Sequence, residues 1–224
     1  MPRIARLVAV DLPHHITQRG NYQNDIFKDD ADKQMYMEFI SEASKKFDLT
    51  ILAYCLMNNH VHFIAIPREA NSLAKTFNTA HMRYSQYFNK RQGVKGHLWQ
   101  GRFYSCVLDE GHFLAAIRYI ERNPVRAKIV KKAWEWKYSS AGAHIGKDEK
   151  YLNSVKQIFK YIDFNEKSWK EYIERQDKEE DKKQIKKHTM NGRPLGEASF
   201  IAKLEKNSGR RLHALAWGRP PKAK

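Results

Sequence analysis

The runs LTILAYCLM (49–57) and HVHFIAIP (60–67) are β-rich and apolar, and only Asn58 and Asn59 separate them. Asparagine tolerates the left-handed backbone of a tight turn, so the pair predicts an antiparallel hairpin. No other feature constrains the fold as much, because such a hairpin needs a sheet and a core to bury it. Alternate strand residues share a face, so His60 and His62 project together with Ile64 and Ile66. Their Cβ atoms lie about 6–7 Å apart, twice the strand rise. Two imidazoles so placed can converge on one divalent ion. The same spacing also fits a half-buried hairpin whose histidines merely line up.

The flanking segments extend this pattern. HHITQR (14–19) reads as a strand, and the Gly/Asn loop GNYQND follows it. Ala31, Met35, Phe39, Ile40 and Ala43 recur at helical spacing over 29–47, with Asp29 or Asp30 as cap. Pro67 closes the return strand. A second helix fits 71–89, a Gly-containing basic loop 93–103, a fourth strand 104–108 and a third helix 110–123 stopped by Pro124. The order strand, helix, strand, strand, helix, strand, helix predicts an α+β, ferredoxin-like antiparallel sheet with helices on one face, plus one extra helix. Past residue 146 the composition shifts. Short amphipathic helices fit 151–164 and 167–176, and the mixed-charge run 177–187 reads as a solvated helix or linker. A small helical unit fits the tail, with one helix over 196–206, a Gly turn and a second short helix. This divides the chain into a domain over 1–146 and a basic helical C-terminal extension over 147–224.

Charge narrows the partner. Among 224 residues, 41 Lys+Arg against 25 Asp+Glu leave a net +16, which favours a polyanion, nucleic acid ahead of an anionic membrane surface. Cys55 and Cys106 lie in apolar stretches too far apart for a disulfide framework or a Cys-based zinc site, and read as reduced core residues. No run approaches the ~18 apolar residues of a membrane span, and the first residues hold no signal-peptide core, so the expected location is the cytoplasm.

RYIERNPVRA (118–127) carries Tyr119 and Asn123 one helical turn apart. Tyr119 supplies a phenolic oxygen able to act as a covalent nucleophile, and the Asn123 side-chain oxygen suits a hard cation. Each also has a structural role open to it. Tyr119 could pack beside Leu114, Ile117 and Ile120, and Asn123 could simply end a helix before Pro124.

The ordered series YCLMNNHVHFIAIP, HLWQGRFYSCVLDEGHFLAAIRYIERNPVRAKIV and WKYSSAGAHIG resembles the single-tyrosine HUH transposases. Within them it looks most like the REP-associated tyrosine transposases, relatives of insertion-sequence transposases that move single-stranded DNA. PHHITQRGNYQNDIF resembles that family's opening strand and loop, and GRPLGEASFIAKLEKNSGRRL the C-terminal extension of one branch. Two positions depart from the pattern. Asn58 stands where the family often has proline, and Trp217 stands where an RGRP hook would have its leading arginine.

The resemblance implies that His60, His62 and Asn123 hold Mg2+ or Mn2+, with no organic cofactor. It implies that Tyr119 attacks a DNA phosphate to give a 5′-phosphotyrosine link near hairpins of palindromic repeats. The partner would be single-stranded or hairpin DNA, and the protein a monomer or homodimer. Arg19, Lys95, Arg102, Arg118, Arg122 and Arg126 flank the implied site and could track phosphates. Trp99 and Tyr104 could stack on unpaired bases, with a core role also open to Trp99. A non-catalytic hairpin-binding protein is the alternative from a different class. A zinc hydrolase is disfavoured, since no H-E-x-x-H motif accompanies the pair.

Overall fold

The computed structural model describes residues 6–213, so the second short tail helix and Trp217 lie outside the described residues. Strands β1 (His14–Arg19), β2 (Leu49–Met57), β3 (His60–Pro67) and β4 (Tyr104–Val107) form one antiparallel sheet in the order β2-β3-β1-β4. Helix α1 (Asp30–Lys46) connects β1 to β2, and α2 (Ser72–Gln92) connects β3 to β4. This is the split-βαβ order expected from the sequence. The Asn58-Asn59 turn is bound on both sides: the Asn58 carbonyl accepts from Ile26 and Phe27 N–H, and the Asn59 carbonyl from Gly20 N–H. Gly20 is required there, because a Cβ would come within 2.3 Å of the Asn24 carbonyl oxygen.

Strand alternation divides the core in two. Ile16, Val61, Phe63 and Ala65 face α1 and α2, packing with Tyr36, Met37, Ile40, Phe77 and Tyr84. Ile64, Ile66, Cys55 and Cys106 face the opposite way, onto Phe113, Ile117 and Ile120 of α3 (Glu110–Glu121). Trp169 of α5 (Glu166–Glu174) and Ile185 of α6 (Glu179–Asn191) complete that second layer. The two crossover helices therefore share one face, and the extra helix with the C-terminal helices covers the other. Each large apolar side chain so buried contributes roughly 1.5–3 kcal/mol.

Helix α3 begins where Asp109 accepts the His112 N–H at 2.9 Å. It ends sooner than the sequence pattern suggests. α3 stops at Glu121, and Asn123 opens the short α4 (Asn123–Arg126). Pro124 then sits in a first turn, where its missing N–H costs nothing. The mixed-charge run near 177–187 is also more than a solvated face. It supplies α6, whose Ile185 and Thr189, four residues apart, are both buried.

Both sheet edges are covered. Along β2, Leu56 N–H donates to the Tyr138 carbonyl and Ser140 N–H to that of Tyr54. Along β4, Leu195 N–H donates to the Val107 carbonyl, and Asp109 N–H to that of Leu195. Helix α7 (Ala198–Ser208) follows this connection. No helix of the described residues is long and apolar enough to cross a membrane.

Candidate functional site

Register assembles the site before any loop does. Residues directly opposite in antiparallel strands share a face. Arg19 pairs with His60, Thr17 with both His62 and Tyr104, and His15 with Cys106. The side chains of His15, Thr17, Arg19, His60, His62 and Tyr104 form the floor of a cavity of about 210 Å³. Tyr119 of α3 and Lys186, Thr189 and Met190 of α6 form its walls.

Both motif histidines are held through Nδ1. His60 Nδ1 lies 2.6 Å from Asn59 Oδ1, and Asn59 Nδ2 donates in turn to the Gln23 carbonyl at 3.1 Å. A carboxamide oxygen only accepts, so the His60 proton is on Nδ1 and Nε2 keeps its lone pair. His62 Nδ1 lies 2.9 Å from His15 Nε2, and the two rings stack at 5.1 Å between centroids. Burial, helped by Arg19 and Arg126, lowers the His60 pKa to about 4. Burial and the neighbouring His15 and His60 hold His62 well below the usual histidine range. Burial alone lowers His15 to about 3. At neutral pH all three rings are uncharged, the form in which imidazole is a ligand.

Among the described residues no group bonds to His60 Nε2 or His62 Nε2. A pair with its outer nitrogens tied and its inner nitrogens open fits a divalent ion. Among the described residues no cluster of three or more His, Cys, Asp or Glu side chains forms a cage. Further ligands would therefore be amide, water or substrate oxygens.

Tyr119 stands edge-on to this pair, its ring 5.9 Å from His62 and 6.1 Å from His15 between centroids. Among the described residues its hydroxyl has no hydrogen-bond partner, while the Arg126 guanidinium lies 4.3 Å over its ring. Arg126 Nη2 donates to the Tyr119 carbonyl at 2.5 Å and also to Asn123 Oδ1. Asn123 does not line the cavity, and among the described residues its buried Nδ2 has no partner. Tyr119 belongs to α3 and Asn123 to α4, and the one Arg126 guanidinium touches both.

The profile of the family described as "Transposase IS200 like" matches residues 9–123, slightly more than half of the chain. The chain belongs to the IS200-like transposase family. The match runs from just before β1 to the first residue of α4, and so includes both motif histidines and Tyr119. Among solved structures, the transposase resembles a REP-associated tyrosine transposase bound to a REP hairpin at 20% identity, covering 65% of this chain and 86% of that one, with a TM-score of 0.53. At that identity the likeness establishes the α+β fold. A Deinococcus radiodurans R1 protein assigned as a transposase shares 15% identity over 57% of this chain and 92% of its own, with a TM-score of 0.37, too low to bear on the fold. No curated protein matches the sequence.

The basic residues of the transposase fall into two groups. Arg19, Lys95 and Arg102 are exposed, and Arg19 lines the cavity. Arg118, Arg122 and Arg126 instead turn toward Asp177, which precedes α6, at 3.9, 3.3 and 3.0 Å. Asp181 adds a second carboxylate 3.5 Å from Arg118. The Arg118 side chain is only 7% exposed, so it cannot track phosphates without leaving that pairing. Trp99 packs against His81 at 4.4 Å between centroids and donates Nε1–H to the His81 carbonyl, the core role its sequence left open.

Six cavity residues escaped the sequence reading: His15, Thr17, Gln100, Lys186, Thr189 and Met190. The first two alternate with Arg19 in HHITQR, a signal that becomes specific only when β1 is known to pair with β3. Nothing local marks Lys186 or Thr189.

Proposed function

We propose that this transposase cleaves and rejoins single-stranded DNA beside palindromic hairpins of the REP type, through a covalent bond to Tyr119. One observation carries the reading. A tyrosine whose hydroxyl has no partner among the described residues stands 5.9 Å, between ring centroids, from a neutral histidine whose Nε2 is open to the same cavity. A nucleophile and a cation-binding pair are thereby aimed at one small volume.

In this reading the Tyr119 oxygen attacks phosphorus. A phosphorus–oxygen bond forms, the bond to the 3′ oxygen breaks, and that oxygen leaves as a 3′-OH after taking up a proton. The 5′-phosphate stays esterified to Tyr119, which conserves the bond for later attack by another 3′-OH, so rejoining needs no nucleotide cofactor. His60 and His62 would hold Mg2+ or Mn2+, which as a Lewis acid stabilises charge on the phosphate oxygens. Asn123 is the third protein ligand of this reading, and Arg126 must first release its Oδ1. Arg19 at the rim, with Lys95 and Arg102, would take phosphates of the incoming strand. The hairpin substrate is supported by the fold shared with a REP-associated transposase bound to a REP hairpin. The catalytic unit is residues 1–146, the extension is 147–224, and the working form is a monomer or homodimer.

The test is incubation with a hairpin oligonucleotide carrying a single-stranded flank, with Mg2+ or Mn2+. The wild-type protein forms a denaturation-resistant protein–DNA adduct, and Tyr119→Phe forms none. An adduct with Tyr119→Phe would overturn the nucleophile. Tight hairpin binding with no cleavage under any metal would instead favour a non-catalytic hairpin-binding protein.

A further inference from the structure

The Thr189 hydroxyl on α6 lies 2.7 Å from the Ile185 carbonyl oxygen and 2.7 Å from His15 Nδ1, with Cys106 Sγ 3.2 Å away. Thr189 is 1% exposed, as are His15 and Cys106. A carbonyl oxygen only accepts, so the single Thr189 hydroxyl proton goes to Ile185. The Thr189 oxygen is then left as an acceptor. Two lone pairs facing each other at that distance would repel, so His15 carries a proton on Nδ1. Among the described residues no acidic side chain bonds to His15, whose ring is neutral and therefore has a bare Nε2. That bare nitrogen lies 2.9 Å from His62 Nδ1. His62 Nδ1 must be the donor, which leaves His62 Nε2 bare as well. The directions of three consecutive groups follow from one backbone carbonyl.

We propose that Thr189 and His15 are positioning residues that hold His62 as its Nδ1–H tautomer, so that α6, beyond the stretch matched to the family, prepares the nitrogen that binds the cation. This rests on the reading that His60 and His62 hold a divalent ion. The two histidines are then set by different parts of the chain. Asn59, the neighbouring residue, directs His60, whereas His62 depends on a residue 127 positions later, as the numbers Thr189 and His62 show. Outer partners of this kind typically change metal affinity roughly 10- to 100-fold when removed.

Two measurements on the full chain test it. Two-bond 15N–1H correlation spectra of the labelled wild-type protein, without metal, read the tautomers directly: His15 and His62 both carry the proton on Nδ1. A proton on His62 Nε2 overturns the proposal whatever any variant does. Mn2+ titration, followed by water-proton relaxation, reads the consequence. Thr189→Val keeps the shape but removes the hydroxyl, and weakens Mn2+ binding roughly tenfold. Thr189→Ser restores it to within about twofold, which a purely steric role of the threonine would not do. Unchanged Mn2+ affinity in Thr189→Val, with His62→Ala abolishing the site, defeats the wiring alone. Wild-type affinity retained in both His60→Ala and His62→Ala defeats the ion reading, while the tautomer spectra still decide the wiring.

Discussion

The Arg126 guanidinium lies 4.3 Å over the ring of Tyr119 and donates to the backbone carbonyl of the same residue. One cation thus holds the proposed nucleophile through both its ring and its main chain, and Arg126 also binds Asn123 Oδ1 and pairs with Asp177. Its charge is committed within the protein, so Arg126→Ala should act on chemistry more than on affinity. Misplacing a reacting group by about 1 Å can cost roughly 100-fold in rate. We expect adduct formation to fall by that order while hairpin affinity, read by mobility shift, changes less than about threefold. An equal loss of both would make Arg126 a DNA contact.

Asp177 is the counter-charge for three arginines, and its side chain is 8% exposed. Replacing it by the isosteric Asn leaves Arg118, Arg122 and Arg126 without that partner. Removing one member of a buried ion pair costs roughly 3–5 kcal/mol. Asp177→Asn should therefore lower the midpoint of thermal unfolding, and its single-strand DNA affinity should depend more steeply on salt as released cations find phosphates. A stable variant with an unchanged salt slope would show that the cluster is idle.

His60→Ala should abolish metal-dependent cleavage and leave salt-sensitive DNA binding within about threefold, because exposed cations such as Arg19 supply the affinity. Parallel measurement of adduct yield and binding isotherms checks the division. Proportional loss of both would contradict it.

Acid should weaken the fold through histidines away from the cavity. Burial lowers His14 to about 4 and His81 to about 3, from an ordinary value of 6.5. A histidine whose folded pKa is depressed binds fewer protons folded than unfolded between those values. Stability is therefore complete above about pH 6.5 and declines as pH falls toward 4 and then 3, each unit of difference being worth about 1.4 kcal/mol. Chemical denaturation at pH 7, 5.5 and 4.5 should show midpoints falling in that order. His81→Gln should flatten the slope, and an unchanged slope would exclude His81 as a contributor.

The hairpin, the strand and helix order and the Asp29 cap were legible because each depends on local periodicity and turn chemistry. The motif histidines and Tyr119 were legible as a pattern, and the structure does bring them to one cavity. Arg118, Arg122 and Arg126 were misleading. A run of arginines on a helix looks like a phosphate track, and the carboxylate that occupies it stands more than fifty residues later at Asp177. The pairing of Asn123 Oδ1 with Arg126 was not legible either, since it forms where the helix breaks and Pro124 enters a first turn.

By itself the sequence determined which residues could share a strand face or a helix turn, because those relations span a few residues of regular backbone. That was enough for His60 beside His62 and for the split-βαβ order. Tertiary structure alone decided that β1 lies between β3 and β4, which places His15, Thr17 and Arg19 beside the motif. It also decided that α6 closes the same cavity with Thr189. Pairing between distant segments is set by the burial of both sheet faces at once, and no local stretch carries that information.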